Sequence, residues 1–225
     1  RPVEDFVRAC IEESLEVGTI AVAGRGGYAP DDVIPSFTPL NPTESSSVPI
    51  AAGLDPVDAG KSSLPYWHYM SSENEKCPGE CVFDSKKPSL YKSGGNPSVE
   101  GALERSATKH LLTCLQEFQP LEKEGFTVTP KGTPSFVVTL SDTGVRGVLT
   151  YDIDSKKGEK VSNLKTFYGA VPVAIVDAYK TASAITESEQ STNYFERASW
   201  ETLQRFFDVD AAMLPPDSDL AYGFD

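Results

Sequence analysis

Over the first seventeen positions, apolar side chains recur every three or four residues: Val3, Phe6, Val7, Cys10, Ile11, Leu15 and, less regularly, Val17. That spacing predicts an α-helix with one buried stripe. Pro2 suits a first helical turn, Glu4 and Asp5 complement the helix dipole, and Gly18 is the expected stop. The stripe requires a packing partner elsewhere in the chain.

From Ala23 to about Pro97 the periodicity disappears. Seven prolines fall between Pro30 and Pro65, about four times ordinary usage of about 5%. Proline fixes φ and removes a donor, so neither a helix nor a central strand is expected there. Single apolar anchors such as Tyr28, Phe37, Leu40, Ile50 and Leu54 still punctuate the stretch. A freely solvated spacer lacks such anchors. Residues 19–97 are therefore predicted to form an extended Pro/Ser/Gly-rich arm lying along a surface.

Helical spacing returns after Pro97. Ser98 is a candidate N-cap, and Val99, Leu103, Ala107, Leu111, Leu112 and Leu115 form a stripe before Pro120 stops the helix. Strand-like segments follow at Phe126–Thr129, Ser135–Leu140, Val145–Ile153 and Lys160–Tyr168. Residues 154–159 between the last two have hairpin character, with Gly158 as the positive-φ residue. Val171 to about Thr186 and Tyr194 to Phe207 are expected as further helices. The predicted fold class is α+β: a small antiparallel sheet of about four strands packed with three to four helices. The predicted organisation is helix 1–18 on the core, arm 19–97, core 98–207 and acidic tail 208–225.

Length and charge narrow the function. The chain has 225 residues, about one and a half domains' worth at about 150 residues per domain. Its net charge of −13 argues against nonspecific nucleic-acid binding and against anionic lipid surfaces, both of which call for clustered cations. The longest apolar run, Ala170–Val176, is far shorter than the roughly 18 residues needed to span a bilayer. No membrane insertion is expected. The start at Arg1 rather than Met suits a processed secreted or organelle-lumen protein, or a shortened chain.

Candidate chemistry is sparse. Cys77-x₃-Cys81 flanks a Pro-Gly turn, and His110-x₃-Cys114 sits at i, i+4 on a predicted helix. A turn pair plus a helix pair is one way to assemble a tetrahedral structural zinc site, so Cys77, Cys81, His110 and Cys114 are the candidate metal ligands. The competing readings are a local Cys77–Cys81 disulfide, free buried thiols, or a Cys10–Cys114 bridge between the two helices. No other cofactor is implied. His68, within Tyr66-Trp67-His68-Tyr69, is the candidate general base, but no nucleophile elbow accompanies it. Gly24-Arg25-Gly26-Gly27 lacks the spacing of a phosphate loop and is expected as a plain turn. Asp152-x-Asp154 is expected in a hairpin, not in a calcium loop.

Tyr and Trp are favoured at interfaces because they bury area and keep a polar handle. Tyr66, Trp67, His68, Tyr69 and Phe37 are thus the predicted interaction residues. The function expected is that of a non-enzymatic accessory or structural subunit, binding a larger protein assembly through its arm and these anchors. The alternatives are a secreted or lumenal hydrolase-like enzyme using His68, and a carbohydrate- or ligand-binding module.

Overall fold

A computed structural model describes residues 2–32, 51–53, 63–70, 82–94, 97–116 and 118–192, with positions 194, 198–199 and 201–202. The helices are α1 (Pro2–Ala23), α2 (Val99–Leu115), a short α3 (Gln119–Lys123) and α4 (Ile175–Thr192). The strands are β1 (Ala51–Gly53), β2 (Ser63–Pro65), β3 (Tyr69–Met70), β4 (Phe83–Asp84), β5 (Thr127–Ser141), β6 (Gly144–Lys157) and β7 (Lys160–Val171). Two units result, one from residues 1–33 and 88–179, the other from residues 34–87 and 180–225.

In the first unit, α1 runs beyond the expected stop at Gly18 and ends at Ala23. Gly18 is not a terminator but a seam residue: a Cβ there would lie 3.2 Å from the Ala107 Cβ of α2. The missing side chain lets the two helix backbones approach closely. The real stop is the glycine turn that follows, where Gly26 and Gly27 take φ values of 62° and 95°. The Gly27 N–H donates to the Val22 carbonyl at 3.0 Å, closing the last turn.

Helices α1 and α2 are antiparallel neighbours. Cys10 is disulfide-bonded to Cys114 with Cα atoms 5.8 Å apart. One turn on, Ser14 Oγ lies 3.2 Å from His110 Nδ1, and a further turn brings Gly18 against Ala107. Steps of four along α1 thus meet steps of three or four back along α2, as the helical period demands. At the start of α2, Ser98 caps as expected, its hydroxyl accepting from the Gly101 N–H at 3.1 Å. Of the anticipated α2 stripe only Leu112 turns outward, 40% exposed.

The sheet has three antiparallel strands in the order β5-β6-β7, not about four. The segments 126–129 and 135–140 merge into β5, and the pairing register shifts between Lys131 and Ser135. Pro130 and Pro134 bracket that shift, with Gly132 at φ 75° between them. Prolines cannot donate to a ladder, so the irregularity falls where they sit, on an edge strand. The β6–β7 hairpin turns tightly at Gly158-Glu159, with Gly158 at φ 60°, as its position in the sequence implied.

Phe136, Val138, Leu140, Val145, Leu149, Ile153, Phe167 and Val171 point from the sheet into the core shared with α1 and α2. Gly147 of β6 pairs with Gly169 of β7. Together they form the slot that seats Ile11: a Cβ on Gly169 would lie 2.5 Å from Ile11 Cγ2.

In the second unit, β1 pairs with β2 and β3 with β4, both antiparallel. These short ladders occupy part of the 19–97 stretch predicted as an extended arm; most of the rest of it, Phe37 included, lies outside the described residues. Helix α4 starts at Ile175, later than Val171, because β7 continues through Val171 and Pro172 follows. Within 194–207, Tyr194, Ala198, Ser199, Glu201 and Thr202 are helical. The tail 208–225 lies outside the described residues.

Candidate functional site

Two regions gather the residues capable of recognition, one in each unit. In the second unit, the segment Pro65–Met70 is anchored through its backbone. The Lys86 N–H donates to the Tyr66 carbonyl at 3.2 Å, and the Ser85 hydroxyl donates to the Trp67 carbonyl. Tyr69 is buried, donates its hydroxyl to Asp84 at 3.3 Å and holds the Lys86 ammonium 5.9 Å from its ring centre. Tyr66, Trp67 and His68 remain half-buried. The segment is therefore fixed by its backbone while three of its four ring side chains keep accessible surface.

His68 Nδ1 lies 2.7 Å from the Gln190 side-chain nitrogen. An amide nitrogen only donates, so Nδ1 is the acceptor and the neutral ring carries its proton on Nε2. Burial lowers the His68 pKa from its usual 6.5, favouring that neutral form.

Of the four proposed metal ligands, His110 and Cys114 lie among the described residues. Cys114 is bonded to Cys10, so it is not the thiolate that a zinc site requires. His110 faces Ser14. Cys77 and Cys81 lie outside the described residues. Among the described residues, no three His, Cys, Asp or Glu side chains cluster as a metal site. The helix-pair reading of Cys10 and Cys114 is the one the fold adopts.

The second region is the outward face of the β5-β6-β7 sheet, which the sequence reading did not single out. Val137, Val148 and Tyr168 lie side by side across the three strands, with Val137 47% and Tyr168 66% exposed. Ser135, Thr150 and Thr166 form the next row. Beyond it, Asn163 donates to Asp152 at 2.5 Å and to Asp154 at 2.8 Å. Lys131 pairs with Asp154 at 2.5 Å, and its hydrogen bond holds that carboxyl below the usual carboxylate range. A sequence signal existed: Phe136, Val137 and Val138 are consecutive, so one apolar side chain must leave the inner face.

The two outer edges of this sheet differ. Glu100 and Glu104, one turn apart on α2, accept from the β5 N–H groups of Leu140 at 3.0 Å and Val138 at 2.8 Å. Lys92 donates its ammonium to Glu104 at 2.5 Å and its N–H to Glu100 at 3.1 Å. Among the described residues, β7 pairs with β6 alone.

No family model, curated protein or solved structure matches this chain. Among the described residues, no helix is long and apolar enough to cross a membrane.

Proposed function

We infer that this chain is a non-enzymatic accessory subunit that binds a larger protein assembly, with Tyr66, Trp67 and His68 as anchors. The observation that carries this reading is the Pro65–Met70 segment itself, pinned through its backbone by residues 85 and 86 while the rings of Tyr66, Trp67 and His68 stay half-buried. Holding aromatic side chains in place before contact reduces the ordering cost of binding. The engaged Nδ1 of His68 supports binding over acid–base catalysis. The Cys10–Cys114 bridge supports maturation in an oxidising compartment, where disulfides persist.

The test is a pull-down of the full chain from its native source, compared with Trp67→Ala and Tyr66→Ala. A stoichiometric companion protein retained by the parent and lost by both variants, whose circular dichroism is unchanged, is the expected result. Equal recovery with all three chains sinks the assignment of these anchors.

A further inference from the structure

We propose that the outer edge of β7 accepts an additional strand, supplied by the acidic Asp217–Asp225 segment of a second copy of this chain. The edge comes first. A bare strand edge is a template for another chain, and proteins commonly protect such edges. Here β5 is sealed by Glu100 and Glu104, whereas the twelve residues of β7 have no strand on their outer side among the described residues. The protection is one-sided.

Charge selects the occupant. The chain carries −13 overall, but residues 127–171 hold six Lys/Arg against four Asp/Glu, a local surplus of +2. Arg146, opposite Ala170 of β7, helps line a depression of about 270 Å³ with Thr143, Gly144 and Pro172. Lys160 starts β7. Cations therefore stand near both ends of the edge, and like-charged β7 strands from two copies are poorly suited to pair with each other.

The last eighteen residues contain five Asp and no Lys or Arg. Within them, Leu220, Tyr222 and Phe224 alternate with Ala221, Gly223 and Asp225, the period of a strand with one apolar face. Asp217 and Asp219 precede that trio and Asp225 follows it. Nine extended residues reach about 30 Å, about three quarters of the roughly 40 Å spanned by the twelve residues of β7. An added strand also extends the Val137–Val148–Tyr168 row sideways, placing one of its own side chains beside Tyr168. Reciprocal donation between two copies closes the assembly as a dimer.

The experiment uses the full chain, following sedimentation over a dilution series and amide exchange at low and high concentration. The expected result is reversible association toward twice the 24.3 kDa chain mass, with slowed exchange across residues 160–171. Arg146→Glu with Lys160→Glu weakens association about tenfold, as does Asp217→Lys with Asp219→Lys. All four changes together restore it. Trp67→Ala leaves it unchanged, which separates this contact from the aromatic anchors. A chain that stays monomeric at every concentration overturns the proposal. So does association that ignores both charge reversals or is not restored when they are combined.

Discussion

The two faces of the β5-β6-β7 sheet are built from the same strands, yet they meet different environments. Phe136 and Val138 point inward and are buried, while Val137 between them is 47% exposed; Phe167 is buried and its neighbour Tyr168 is 66% exposed. Hydropathy does not separate Val137 from Phe136 and Val138. The separation comes from strand alternation combined with α1 packed on the inner side, where it lays Ile11 into the slot left by Gly147 and Gly169. The inner face is close-packed and stapled; the outer face keeps Val137 and Tyr168 exposed.

The largest effect is expected at the staple. Reducing the Cys10–Cys114 bridge, or replacing both cysteines with Ala, frees a loop spanning 104 residues and should cost about 4 kcal/mol. Urea unfolding with and without reductant measures it. A loss below about 1 kcal/mol would mean that the α1–α2 seam holds without the bridge.

Next comes the slot. Ile11→Ala should cost about 3 kcal/mol through the cavity it leaves, and Gly169→Ala about 2 kcal/mol through overpacking against Ile11. The two should not add. In the Ile11→Ala background, Gly169→Ala should cost markedly less, because the methyl at 2.5 Å is gone and only the Cβ of residue 11, at 3.0 Å, still crowds the new side chain; a double-mutant cycle reads this directly. Strict additivity would place Gly169 against some other atom.

The sealed edge should respond more modestly. Glu104→Ala strips the acceptor from the Val138 N–H and from Lys92, at an expected cost of about 1–2 kcal/mol. Faster hydrogen exchange at Val138, with Thr139 little changed, would locate the loss at the edge. A uniform acceleration across all three strands would instead indicate general loosening.

The smallest effect belongs to the outer face. Val137→Thr should change stability by no more than about 0.5 kcal/mol, since little is packed against it. A loss above about 1.5 kcal/mol in the same urea titration would show that this face is covered within the folded chain. That outcome would erase the contrast between the faces.

Much of the first unit was legible along the chain. Helix α1 followed from its three-and-four spacing, α2 from the Ser98 cap and its leucines, and the last hairpin from Gly158. The aromatic segment also stood out, because four consecutive ring-bearing residues are conspicuous in any context. The edge carboxylates were not legible. Glu100 and Glu104 resemble ordinary solvent-facing helix residues until β5, some forty positions later, comes alongside. The merging of two strand segments into β5 was equally hidden, since Pro130 and Pro134 argue locally for a break and an edge strand absorbs it.

By itself the sequence determined the local elements, because helical periods, caps and tight turns depend on residues within a few positions of one another. It left open which cysteines pair and which of three adjacent apolar residues in β5 faces water, and it placed the end of the first helix at Gly18, which instead lies between two helices. Tertiary structure decided these points. Each depends on which distant segment comes alongside: α2 beside α1 brings Cys114 to Cys10 and Ala107 to Gly18, and α1 over one side of the sheet leaves Val137 on the other.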